Sequence, residues 1–490
     1  MTRLSLQSLA ALPRAMRPAY DPATLKPGIV HIGCGAFHRA HQAVYTEQAL
    51  RASRGDWGII GASLRQPGVR DQLRAQDGLY TVLTKGPQHA GAQVIGCMRG
   101  IVFAPDDPIR LPHAIAKKEI HVVSLTITEK GYCLDPATRA LDFYHPDIQH
   151  DLANSDRPVS AVAVLVAGLH ARRRAHGQAL TILCCDNLAH NGRVLKDLVL
   201  AFAYALDADT ARWIAANITF PSTMVDRIVP ATTPATLTEV QQLLGLRDEA
   251  AVWGEPFSQW VIEDDFAAGR PLWEAGGAEF VSDVKPYEDM KLRLLNSSNS
   301  LLAYLGYLAG HEYIYQVMQE PAYATLVRRF MSEEAAPTLT MPPGVDLQSY
   351  QAQVMERFSN WNLPHRCYQI AMDGSQKLPQ RLLNTVRDNL AAGRSIHFCS
   401  LALAAWMRYV SGTNETGKAF TVQDPLADVL RAAAGGEAKS AVDRLLGVRA
   451  IFGDDLPRSA AFRDALIKAL DHLQRAGSRN TAAAWIGETA

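Results

Sequence analysis

The stretch "KLRLLNSSNSLLAYLG", residues 291–306, places an amine and two amides at the start of a leucine-rich helical pattern. On an α-helix Lys291, Leu295 and Asn299 form an i, i+4, i+8 row, and Asn296 and Asn299 are neighbours at i, i+3. A lysine in a desolvated cleft has its pKa lowered towards neutrality and becomes a competent base near pH 7. An amide N–H is a donor of fixed geometry, suited to an oxyanion. Base and donors together fit the oxidation of a secondary alcohol, in which a hydroxyl proton leaves and a partial alkoxide forms as hydride departs. Spacing alone leaves open a plainer reading, a solvated lysine at a helix start and asparagines capping a bend.

A hydride acceptor needs a site of its own. After "GIVHIG" from Gly28 comes "GCGAFHRAHQAVYTEQAL", with Gly33 and Gly35 in a strand-to-helix turn, Ala36 and Phe37 opening the helix and His38 at the third glycine position. Glycines there let backbone N–H groups approach a pyrophosphate at the helix N-terminus. The next strand, in "WGIIGASLRQPGVRD", ends without the acid that would hold a ribose 2'-hydroxyl: Arg65 comes first and no acid appears before Asp71. Arg65 could face a 2'-phosphate or lie against the adenine, so NAD is the expected cofactor and NADP stays open. His38 and His41 at i, i+3 lack a third metal ligand, and the adjacent Cys184 and Cys185 have no zinc spacing, so no metal is expected.

Elements that would position these groups alternate through the first half. "GIVHIG", "WGIIGASL", "HVVSLTIT", "LTILCCDN" and "NITFPS" are short β-branched runs separated by helical patterns, which predicts an α/β Rossmann-type, doubly wound, mostly parallel sheet. Near residue 283 the texture changes to helical spacing. The expected domains are therefore 1–283, dinucleotide-binding, and 284–490, mainly α-helical, with loops at residues 341–351 and around "AAAGGEAKS". A chain of 490 residues is long enough for two cores. Lys plus Arg and Asp plus Glu number 49 each, which leaves no basic field for nucleic acid and no acidic tail. The seven cysteines are scattered, which favours a reducing compartment and a cytoplasmic location. The apolar runs "AVAVLVAGL" and "LLAYLGYLAG" are too short to span a membrane. A small-molecule partner and a monomer or small homo-oligomer are the remaining expectations.

In order along the chain, "IGCGAFHRAHQA", "TITEKGY", "CDNLAHNG", "FPSTMVDRIVPATT", "EPFSQWVIEDDF" and "PYEDMKLRLLNSSNS" resemble the long-chain mannitol dehydrogenase family, whose members include mannitol 2-dehydrogenases and fructuronate reductases. The resemblance implies metal-independent, nicotinamide-dependent chemistry with Lys291 as general base and Asn296 and Asn187 as oxyanion donors, Asn187 also touching cofactor. It implies proton-path carboxylates at Glu129 and Glu288, for which pairing with Lys130 and Lys291 is the structural alternative. Asp226, followed by Arg227, matches residues near the cofactor or substrate; an internal ion pair would explain them equally. One position departs: the family signature closes on histidine where this chain has Asn299, which can hydrogen-bond a substrate hydroxyl but carries no proton.

Substrate identity rests on "RCYQIAMDGSQKLPQR". Lys377 matches a family lysine that contacts substrate oxygens, and Gln369 stands where mannitol enzymes carry an arginine. The stretch resembles the fructuronate reductase branch. A sugar acid's carboxylate calls for Lys377, Arg381 and Arg366, any of which could instead pair with Asp373. The expected reaction interconverts D-mannonate and D-fructuronate; a polyol such as mannitol or arabinitol is the close alternative. A catalytically inactive nucleotide-binding sensor is the remote one, and a phosphorylated polyol would require a denser basic cluster than the sequence displays near Lys377.

Overall fold

The computed structural model describes residues 2–87, 90–135 and 138–487. Contacts divide the chain into two compact units, Met1–Lys285 and Pro286–Ala490.

The first unit is built on a six-stranded sheet. Its strands are β1 (Pro27–Ile32), β2 (Gly58–Ser63), β3 (Met98–Phe103), β4 (Val122–Leu125), β5 (Leu180–Cys184) and β6 (Ile218–Thr219). They lie in the order β3-β2-β1-β4-β5-β6, every neighbour parallel. This is the doubly wound order, which reverses at β1 and opens a crevice at the carboxyl ends of the strands. Every residue of β4 and β5 is buried, as parallel strands covered on both faces require. The expected strand runs are all present, "NITFPS" only as two residues. Two three-stranded sheets were not legible in the pattern. One joins Val252–Gly254, Tyr80–Lys85 and Ala90–Ile95; the other joins Glu279–Val281, Gln259–Glu263 and Thr223–Asp226. Trp260 is core, packed against Tyr45 and Trp273.

The second unit is helical around one large apolar core. The expected loop at 341–351 is shorter than predicted, because the helix Leu347–Ser359 starts inside it, capped by Asp346, which accepts from the Ser349 N–H at 3.0 Å. The larger correction concerns the helix that carries Lys291. It runs as an α segment Lys285–Met290, a π segment Lys291–Asn296 and an α segment Ser297–Leu308. In the π segment backbone bonds close five residues back, as from Ser297 N–H to Leu292 O. The five-residue closure interrupts the regular α-helical row of Lys291, Leu295 and Asn299 that the spacing predicts. Two further π segments, Phe330–Ala335 and Pro379–Leu383, occur among the described residues. Pro379 gives the second a cause, since its ring would clash with the carbonyl four residues back in a regular turn.

Candidate active site

In the first unit the glycine turn has the shape the sequence predicts. Gly33 has φ +94°, and a Cβ there would lie 2.0 Å from the Thr126 carbonyl oxygen. Only glycine fits. A Cβ on Gly35 would meet nothing nearer than the Gly33 oxygen at 3.8 Å, so this face of the turn is open towards the start of α1 (Ala36–Ala40). That opening suits the close backbone approach a dinucleotide pyrophosphate makes. His38 replaces the third glycine by stacking flat on His31 of β1, ring centroids 3.4 Å apart at 12°. His31 contacts Ser124 Oγ at 2.8 Å and Thr126 Oγ1 at 2.9 Å. Burial pushes His31 down to about 3 and His38 well below the usual imidazole range, so both rings are neutral at pH 7. His41 packs as well, bonded to the Gln259 carbonyl at 2.9 Å and stacked on Phe37. Both histidines are buried in ring contacts, His38 on His31 and His41 on Phe37.

Two loops leave the carboxyl ends of neighbouring strands, one after β4 with Glu129, one after β5 with Asn187. Asp186, which sequence reasoning passed over, ties them together. Its carboxylate accepts from the Ile127 and Thr128 N–H groups at 2.9 and 3.0 Å and from Tyr132 Oη at 2.6 Å. Burial pushes its carboxyl up while these donors pull it down. The tie holds Thr128 at φ 65°, a conformation a β-branched residue rarely adopts and one that costs about 1–3 kcal/mol. Asn191 fastens the second loop, bonding the carbonyls of Asp186 at 3.0 Å and Thr223 at 2.8 Å. Glu129 and Asn187 themselves are exposed. Asp226 ends its strand buried. Arg227 donates to the Glu255 carbonyl at 3.0 and 2.9 Å and to the Ala40 carbonyl, clamping the end of α1.

Arg65, just past β2, is exposed and paired with Asp147 at 2.5 Å. Asp147 lies in the first turn of α2 (Pro146–Ala153). Cys133, His145 and Asp147 bring their ligand atoms within 4.8 Å of one another, a grouping that sequence spacing did not reveal. The cation this group already meets is the Arg65 guanidinium.

In the second unit Lys291 is buried, 7% exposed, and Glu288 is buried three residues earlier on the same helix. Asn299 is buried and its Oδ1 has no hydrogen-bond partner, whereas buried polar atoms are ordinarily satisfied. Arg381, in the π segment Pro379–Leu383, donates to the Asn296 carbonyl at 3.3 Å and to Ser300 Oγ at 3.1 Å. Ser297 Oγ returns the contact, bonding the Arg381 carbonyl as well as Leu292 O at 2.9 Å. Two π segments are thereby locked together with Arg381 beside the asparagines. Lys377 Nζ donates to the Met372 carbonyl at 2.6 Å.

His365 reports on this neighbourhood. Burial, then the charges of Arg357, Arg381 and Lys377, push its imidazole down to about 4. The ring is therefore neutral at pH 7. Neither His365 nor Arg357 was identified from the sequence, where they lie outside the "RCYQIAMDGSQKLPQR" stretch. Arg366 faces elsewhere: it pairs with Glu312 at 3.5 Å and lies over the Tyr313 ring.

A doubly wound sheet with an open glycine turn, followed by a helical unit holding a buried lysine and amides on one helix, defines a class of dinucleotide-dependent oxidoreductases. Family models sharpen the class. The mannitol dehydrogenase Rossmann domain matches residues 27–275 and the mannitol dehydrogenase C-terminal domain matches residues 283–474. The chain belongs to the mannitol dehydrogenase family. It is 48% identical to the D-mannonate oxidoreductase of Escherichia coli (strain K12), over 96% of this chain and 97% of that one. A mannitol 2-dehydrogenase of Phaeosphaeria nodorum is 39% identical over 98% of this chain and 85% of its own length. Among solved structures, the Pseudomonas fluorescens mannitol 2-dehydrogenase ternary complex with NAD and D-mannitol superposes with a TM-score of 0.89 at 38% identity, covering 100% of both chains. Among the described residues no helix is long and apolar enough to cross a membrane.

Proposed function

We propose that this chain is an NAD-dependent oxidoreductase that interconverts the secondary alcohol and ketone of an open-chain sugar acid, D-mannonate and D-fructuronate. The observation that carries the reading is the cation of Arg381 set against the asparagine helix, bonded to the Asn296 carbonyl at 3.3 Å and to Ser300 Oγ at 3.1 Å, with Lys377 one turn earlier in the chain. A carboxylate matches such a set through charge-assisted bonds, and a neutral polyol gains far less from it. The likeness to a D-mannonate oxidoreductase supports the same substrate class.

A bound nicotinamide would supply the hydride chemistry; Gly33, Gly35, Ala36, Phe37 and Asn187 are the residues that would hold the dinucleotide. The chain's own groups handle proton and charge. Lys291 accepts the hydroxyl proton during oxidation and returns it to the carbonyl oxygen during reduction. The side-chain amides of Asn296 and Asn187 donate to the alkoxide oxygen between those states. Glu288 and Glu129 relay the proton onwards. Asn299, in place of the family's histidine, offers its unpartnered Oδ1 to a substrate hydroxyl. Asp226, at the end of its strand, orders the cofactor side.

A polyol reading keeps support from the mannitol 2-dehydrogenase relatives. NADH oxidation with fructuronate and with fructose at matched concentrations separates the two. A preference for fructuronate in kcat/KM of about tenfold or more, the value of one charge-assisted bond, is expected. Preference for fructose would assign a polyol dehydrogenase, and turnover of neither would overturn the proposal in favour of a dinucleotide-binding sensor.

A further inference from the structure

We propose that the ion pair between Arg65 and Asp147 selects the cofactor, with Asp147 acting as the acid that β2 lacks and holding Arg65 away from a 2'-phosphate. The inference rests on the dinucleotide-binding reading above.

In a doubly wound sheet the residues just past β2 meet the ribose 2' substituent, and an acid there favours NAD while an arginine accommodates NADP. Past β2 this chain reads Leu64, Arg65, Gln66. By that rule alone Arg65 would welcome a 2'-phosphate. The structure adds an acid from 82 residues away, Asp147, whose Oδ2 lies 2.5 Å from Arg65 Nη2. The two partners are unequally held. Asp147 is the fixed one: its side chain is 22% exposed, it stands in the first turn of α2 where the positive helix end favours a carboxylate, and its N–H donates to His145 Nδ1 at 3.2 Å. Arg65 is the adjustable one, with 66% of its side chain exposed. It extends from a turn closed by Ser63 Oγ on the Gln66 carbonyl at 2.6 Å.

Exposed pairs contribute little to stability, so the role of this one lies in what it admits. A 2'-phosphate must draw the guanidinium from Asp147 and then face that carboxylate. A 2'-hydroxyl meets no such repulsion and finds an acceptor. Cys133, beside the pair, is held as a neutral thiol by burial, which pushes it up to about 11, and adds no competing charge.

The test is direct binding. Dissociation constants for NADH and NADPH are measured by fluorescence titration on the purified wild type, Asp147→Asn, Arg65→Ala and the double variant, with circular dichroism as the check on folding. The expected result is a preference of the wild type for NADH that falls about tenfold in Asp147→Asn, as one charge-assisted contact becomes available to the phosphate. In the double variant that gain disappears, because no guanidinium remains to bind the phosphate. An unchanged NADH-to-NADPH ratio in Asp147→Asn overturns the inference, as does a gain that persists in the double variant. A wild type that binds NADH yet reduces neither sugar overturns the substrate proposal alone; one that binds neither dinucleotide overturns both.

Discussion

In the first unit the polar groups of the candidate site sit on loops at the carboxyl ends of strands, and a regular sheet aims them. In the second they sit on a helix, and an irregularity of that helix aims them. β1, β4 and β5 are ordinary buried strands; what is particular is the strain accepted beyond them, at Gly33 and Thr128. The helix Lys285–Leu308 instead changes its own pitch at Lys291–Asn296. Loops can be tied by single carboxylates such as Asp186, whereas a widened helix turn needs a neighbour to hold it, and Arg381 with Ser297 supplies that hold. Precision in a site can thus come from a rigid frame with strained loops or from a deliberate defect locked by packing.

Perturbing each unit in turn sharpens this contrast. Second only to loss of Lys291, Asn296→Ala removes one oxyanion donor and should lower kcat by about 10²–10³-fold while NADH binding persists, measured by steady-state kinetics beside a binding titration. Next comes the glycine turn. Gly33→Ala should cost about 3 kcal/mol in urea unfolding, because φ +94° and the Thr126 carbonyl leave no place for a methyl group. Gly35→Ala should change stability by less than about 0.5 kcal/mol and weaken dinucleotide binding instead, its Cβ pointing into open space. Equal destabilisation by the two would break the distinction between a turn shaped for the fold and one left open for a ligand.

Arg381→Met should raise KM for fructuronate about 10–100-fold more than KM for fructose, while the loosened π turn lowers kcat for both substrates alike. The smallest effects are titrations of opposite sign. His365 is held down to about 4 in the folded protein, so its contribution is present above the unfolded imidazole value and is lost as pH falls from about 6.5 towards 4. Glu47 of the first unit is held up to about 7 by burial, with Tyr20 and the Gly96 N–H as donors, so its contribution is present below about 4.5 and is lost as pH rises through 7. His365→Asn should flatten the acid side of the stability profile and Glu47→Gln the neutral side, read by thermal melts across pH 4–8.

How far the sequence revealed these features follows from their range. The strands and the glycine turn were legible because β-branched runs and a G-x-G are local signals. The family followed from motifs spread in order along the chain. The π segment was not legible, since an α-period places Lys291 beside Leu295 and nothing local announces five-residue closure. The small sheets escaped notice because their strands are short or pair with partners far along the chain, as Val252–Gly254 does with Tyr80–Lys85. Arg357 and His365 around Lys377, and Asp147 against Arg65, are tertiary meetings with no sequence period at all.

The account depends most on Lys291 as the proton-transferring group, and the direct measurement is kcat for fructuronate reduction by Lys291→Ala at neutral pH with the NADH dissociation constant determined on the same preparation. Loss of about 10²–10⁴-fold in kcat with NADH binding retained is the predicted result. Near-wild-type turnover would contradict it.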